Sequence, residues 1–276
     1  MKTFFRASTQ LFLGLSLLFC IASCSDSPAD IIKKKNPELK KTLDNLNAVA
    51  ARVSDQALGM EKILLPPAKA PVIDLNDIGS YAYEGTSNMQ LFTTQDLLDP
   101  EAKSPGMHLF PSRTTWQTVK AMVKDGKFPK SEKESLEALK GLSNWRFAVV
   151  IKARSVQAPQ IASQPISGKV TDHAVYSSGA FTGGFIEGDV LMYDLDNTGF
   201  LGGFPFSAKS SENVESTTYG GSNSSNGLQN QLDRDFTEQI KKAVLYGMLD
   251  RLPNDRVYMN GNLRQRVLSD RSKMSE

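Results

Sequence analysis

The chain changes its chemistry at Trp145, and no other feature limits its fold as strongly. Upstream, segments carry helix start signals and apolar residues spaced three and four apart. Downstream come β-branched and aromatic runs separated by turn residues. "WRFAVVIKARSV", from Trp145, reads as a strand. "FIEGDVLMYDLDNTGFLGGFPFSAKS" reads as a hairpin turning at Asp196-Asn197-Thr198-Gly199, where Gly199 is expected to supply a positive φ. "SENVESTTYGGSNSSNG" reads as a polar loop with too few apolar residues to pack. A last helix, Leu228 to Leu252, brings Leu232, Phe236, Ile240, Val244, Leu245 and Leu249 to one side, and Pro253 follows it. This order predicts an α+β fold: a helical N-terminal part, then an antiparallel-rich sheet with a C-terminal helix packed on it.

Three segments upstream read as helices. At "NPEL", Asn36 can cap, Pro37 sits where a missing N–H costs nothing, and Glu38 meets the positive helix end. Leu39, Leu43, Leu46, Ala50, Val53 and Ala57 then form one apolar stripe, and Gly59 ends it. The stripe is short for a self-assembling coiled coil, so docking on the protein's own core is the preferred reading. "LLPPAKAP" follows as an extended linker. Thr114 with Gln117, and Ser131 with Glu134, have capping-box spacing. They open two more helices, the first with Trp116, Val119 and Val123 on one face and a stop at Gly126. The second turns Leu136, Leu139 and Leu142 inward.

Both cysteines, Cys20 and Cys24, lie near the N-terminus. Lys2 and Arg6 precede an apolar run from Leu11 to Ala22. A membrane-crossing helix needs ~20 apolar residues, whereas the hydrophobic region of a secretory signal needs only ~7–15. Ile21-Ala22-Ser23-Cys24 then resembles the bacterial lipobox: an aliphatic residue, two small ones and the cysteine that receives lipid. Phe19 before Cys20 does not suit the peptidase. The resemblance to bacterial lipoproteins implies removal of residues 1–23, a diacylglyceryl group on Cys24, and an acylated membrane anchor. With that thiol consumed, no cysteine remains for a disulfide, zinc or nucleophilic chemistry. In Gram-negative lipoproteins aspartate directly after the lipidated cysteine retains the protein at the inner membrane. Here that place is Ser25, so for a host with two membranes the resemblance implies the outer membrane, facing the periplasm, and otherwise a lipoprotein of the cell membrane.

The expected organisation is therefore a signal peptide at 1–23, a flexible tether at 24–36, and an amphipathic helix with linker at 37–70. An α+β globular domain at 71–264 and a loose tail at 265–276 complete it. The run from Arg146 to Leu252 is also faintly similar to a small α/β domain of envelope-assembly lipoproteins. That likeness rests on "DLDNTG" and element order. The formal charge of +2 is matched by Lys2 and Arg6 in the signal, leaving a formally neutral remainder. Such a chain lacks the basic footprint of a nucleic-acid binder. Lys33, Lys34 and Lys35 read as part of a solvated stalk near lipid headgroups.

Candidate catalytic groups are few. His108 and His173 are the two histidines, and neither sits in a recognisable motif. Glu187 and Asp189, two apart on a predicted strand, share one face and have the residue types of a hydrolytic acid and base. The bland reading is a pair of solvated carboxylates. Asp194, Asp196 and Thr198, with glycine at the sixth place, match half of a calcium loop. Its twelfth place holds Pro205 instead of glutamate, so a hairpin turn is the preferred reading. No cofactor is expected. Two readings stand: a lipid-anchored, non-catalytic binding or assembly module with an envelope protein partner, and a lipid-tethered periplasmic hydrolase using Glu187/Asp189 or a histidine.

Overall fold

A computed structural model describes residues 27–56, 71–79, 87–98, 120–126, 132–161, 173–177, 181–217 and 225–274. Cys24, His108, Thr114, Trp116, Gln117, Val119, Ser131 and the segment 57–70 lie outside them.

A mixed sheet in the order β2-β3-β7-β8 organises the fold. β2 (Met89–Thr93) runs parallel to β3 (Phe147–Gln157). β7 (Phe185–Asp194) and β8 (Gly199–Lys209) complete it, and β3–β7 and β7–β8 are antiparallel. The expected α+β class is therefore what forms. β2 carries no clear signal in the sequence: its five residues are too short a run to separate strand from helix by period. It joins the sheet because the intervening helical segments provide the crossover that a parallel pair needs.

Alternation along the strands sends side chains to two cores. Phe147, Val149 and Ile151 of β3 join Ile186, Val190 and Met192 of β7 and Phe204 of β8 on one face. There α6 (Ser225–Leu249) packs Phe236, Ile240, Val244, Leu245 and Met248 against them. At the helix–sheet contact a Cβ on Gly247 would overlap the Phe204 ring, so close approach requires glycine. Ala148, Val150, Leu191 and Tyr193 face the other way. They are covered by α1 (Pro28–Val53), α3 (Thr94–Leu98), the helical residues 120–125 (α4) and α5 (Glu132–Asn144). Leu39, Leu43, Leu46 and Val49 of α1 are buried in this core, as are Leu139 and Leu142 of α5. The stripe docks on its own sheet. Gly126, with φ +64°, ends α4 as its position predicts.

Smaller elements finish the molecule. β1 (Ile73–Asp74) pairs in parallel with β10 (Val257–Tyr258), and α2 (Asn76–Gly79) follows β1. β4 (Gln160–Ile161) pairs with β6 (Phe181–Thr182), and β5 (His173–Ser177) with β9 (Asn213–Thr217).

Four expectations are corrected. First, α1 begins at Pro28, not Pro37, so residues 28–36 are helix rather than tether. Ser27 accepts from the Asp30 N–H while Asp30 reaches back, a complete capping box with Pro28 in the first turn. Burial of Ile31 extends the stripe upstream and offsets the hydrogen bond that Pro37 removes from the helix interior. Second, β9 lies in the segment read as a loop; Val214 is buried beside Leu228, Leu232 and Phe181, so one apolar residue sufficed. Third, the tail is helical: α7 (Gly261–Met274) starts where the Asn260 side chain accepts from the Leu263 N–H. Leu263 and Val267 are buried, and Asp270 binds Tyr246 and Lys242 of α6. Fourth, the hairpin loop is Leu195–Thr198, with Gly199 already in β8. The positive φ of 55° falls on Thr198.

Candidate functional site

Glu187 and Asp189 lie on β7 opposite the distal half of β3. The β3–β7 register shifts between Ala153 and Ser155, making Arg154 the extra residue of a bulge. A bulge bends its strand and re-aims a side chain. Arg154 uses that freedom to hold both carboxylates, with Nη1 3.0 Å from Asp189 Oδ2 and Nη2 3.3 Å from Glu187 Oε1. Between the two acids, a Cβ on Gly188 would overlap the Lys152 carbonyl oxygen, so glycine permits the local approach of the strands.

The two acids are not equivalent. Asp189 is 1% exposed, whereas Glu187 is 50% and Arg154 41% exposed. The reading of two solvated side chains thus holds for Glu187 and fails for Asp189. Lys152, the register partner of Asp189, reaches over the C-terminus of α1. Lys152 Nζ donates to the carbonyl oxygens of Val53, Ser54 and Gln56 at 3.0, 2.8 and 3.3 Å. A lysine there meets the negative end of the helix and satisfies carbonyls left without helical partners. Asp189 Oδ1 is buried with no hydrogen-bond partner.

Both candidate acids are thus held by one guanidinium. A catalytic acid or base must reach the reacting group within hydrogen-bond distance. Asp189 is closed off from solvent, and Glu187 is tied to Arg154. What the surface offers is the exposed side of a guanidinium–carboxylate pair beside the C-terminus of α1.

The other candidate group lies at the opposite end of β7. Asp194 is 1% exposed; its Oδ1 accepts from the Asp196 N–H at 2.8 Å and its Oδ2 from Arg146 Nη2 at 2.8 Å. Arg146 also pairs with Asp196. Arg52 donates to the Thr198 carbonyl at 2.6 Å, and Asn45 to that of Leu195 at 2.5 Å. Arg146 thus pairs with both carboxylates of the half-matched calcium pattern, and Asp194, Asp196 and Thr198 lie at a hairpin turn gripped by α1. His173 lies on β5, its backbone paired in register with Thr217.

Sequence reasoning missed Arg154, Lys152 and Arg146. A signal was present: Lys152 and Arg154 alternate on β3 as Glu187 and Asp189 do on β7, opposite charges at matching spacing on neighbouring strands. Comparison with protein-family models, curated proteins and solved structures found no match for this chain.

Proposed function

We propose that this chain is a lipid-anchored cell-envelope protein whose folded part is a non-catalytic binding or assembly module. In this reading Cys24 carries the diacylglyceryl group, and the module faces the periplasm from the outer membrane. The observation that carries the proposal is Ile21-Ala22-Ser23-Cys24 behind a charged start and a short apolar run. Several acyl chains hold a protein stably where one holds it marginally. The burial of Asp189 and the pairing of Glu187 with Arg154 favour binding over hydrolysis.

Mass spectrometry of the mature N-terminus tests the anchor. The expected species begins at Cys24 and carries lipid, and Cys24→Ser releases the protein from membranes. An unmodified N-terminus in the membrane fraction would overturn it, and inner-membrane density on a gradient would contradict the location. Complementation of a deletion strain at matched protein levels tests the module. His108→Ala, His173→Ala and Glu187→Gln with Asp189→Asn are expected to complement. Leu43→Asp, which buries a charge beneath α1, is expected to fail. A folded, abundant histidine or carboxylate variant that fails to complement would favour the tethered hydrolase.

A further inference from the structure

The start of α1 has a consequence for how the module meets its membrane. Between Cys24 and Pro28 lie only Ser25, Asp26 and Ser27. At ~3.3–3.6 Å per residue, three residues reach at most about 10 Å even when fully extended. The helix that follows is closed by the Ser27–Asp30 capping box and docked along its length from Ile31 to Val53. There is no long stalk between lipid and fold.

Lys33, Lys34 and Lys35 occupy the second turn of this helix and are exposed, as are Lys40 and Lys41. Helical rise places Lys33 only about 8 Å along the axis from Pro28. From Pro28 to Lys41 five lysines stand against two acids, Asp30 and Glu38. The Asp30 carboxylate is engaged at the cap by Ser27 and also interacts with Lys33 and Lys34, so the net excess over this stretch is three positive charges. Lys35 Nζ reaches Ser143 Oγ of α5 at 3.4 Å, and exposed Lys140 lies one helical turn before that serine. The α1 lysines thus have one exposed lysine of α5 beside them, on a helix whose sequence also carries Glu132, Glu134 and Glu137.

We propose that Lys33, Lys34 and Lys35 of α1, with Lys140 of α5, form a contact surface for anionic phospholipid headgroups, holding the module against the bilayer. This rests on the anchoring of Cys24 proposed above, which brings the patch to the membrane. The short spacer supplies proximity and the lysine excess supplies charge complementarity. Basic residues near an anionic leaflet are attracted within roughly a Debye length, about 8 Å at physiological salt.

The test uses the full chain as processed by its host, reconstituted on two kinds of vesicle: phosphatidylcholine alone, and phosphatidylcholine mixed with phosphatidylglycerol. Flotation reads attachment, and amine acetylation followed by peptide mass spectrometry reads each lysine. On anionic vesicles Lys33, Lys34, Lys35 and Lys140 are expected to react about fivefold more slowly than on neutral ones, and salt should restore their rates. Exposed Lys209 on β8 should not change. Flotation with both vesicles and equal rates on both would overturn the headgroup surface while leaving the anchor intact. Binding to anionic vesicles alone, with the four lysines protected, would support the surface and remove the anchor. Flotation with neither would overturn both.

Discussion

β7 carries two aspartates that are 1% exposed, one held by Arg154 within β3 and one by Arg146 just before it, yet the two sites are unequal. At the hairpin end both oxygens of Asp194 are satisfied, by Arg146 and by the backbone of its own turn. At the bulge end Arg154 satisfies one oxygen of Asp189, and the other has no partner. Arg146 is also the better shielded arginine, 24% exposed against 41% for Arg154. A fully satisfied buried group specifies a fold, whereas a partly satisfied one marks the place where a structure is least settled or where something else binds. At the hairpin end the carboxylate is the fully satisfied partner, while Arg146 Nε is itself buried without one. At the bulge end the unsatisfied atom is the carboxylate oxygen itself, Asp189 Oδ1.

The largest expected effect comes from Arg146→Ala, which leaves Asp194 buried without its cation. Breaking one side of a buried pair costs roughly 3–5 kcal/mol, and urea unfolding with an unchanged m-value would report it. Arg154→Ala should cost less, about 2 kcal/mol, because Arg154 is the more exposed of the two arginines and its pairing is more screened by solvent. Equal losses in the two variants would break the distinction between the ends of β7.

Tyr193 is a third buried polar group on the same strand, and its hydroxyl also lacks a partner. Burial pushes its phenol up to about 12, against an ordinary 10.0, with Arg52 opposing. A raised acid favours the folded state while it stays protonated. Its contribution is therefore complete below about pH 10 and is lost as pH rises towards about 12. In that window stability should fall by up to ~1.4 kcal/mol per pH unit from this residue. Tyr246 is raised to about 12 as well, by burial and then by its hydrogen bond to Asp270, so Tyr193→Phe is needed to isolate the first. An alkaline limb unchanged in Tyr193→Phe would remove Tyr193 as its cause.

The smallest effect should have the opposite sign. Thr198 is β-branched yet sits at φ 55°, held there by Arg52 on its carbonyl and by the neighbouring Asn197–Gly199 bond. A left-handed conformation costs an L-residue roughly 1–2 kcal/mol, part of which glycine gives back in chain entropy. Thr198→Gly should therefore stabilise by about 1 kcal/mol in thermal unfolding. A loss of stability would mean that the threonine side chain itself holds the turn.

Sequence alone determined the elements whose signals are local and redundant. The apolar stripes of α1, α5 and α6 were legible because burial on one helix face repeats every three to four residues. β3 and the β7–β8 hairpin were legible because β-branched and aromatic runs flank a polar turn. The pairing of Glu187 with Asp189 on one face followed from strand alternation. Tertiary structure decided the rest, for identifiable reasons. α1 starts at Pro28 rather than Pro37 because the Ser27–Asp30 capping box and the burial of Pro28 and Ile31 together offset one proline inside the helix, and no local rule weighs those terms. β2, β9 and α7 form because partners distant in the chain satisfy them: β3, β5, and the Tyr246 and Lys242 side chains. The unequal fates of Asp189 and Asp194 were hidden for the same reason. Each is an aspartate on one strand, and only the packing of β3 and α1 around them sets which oxygen finds a donor.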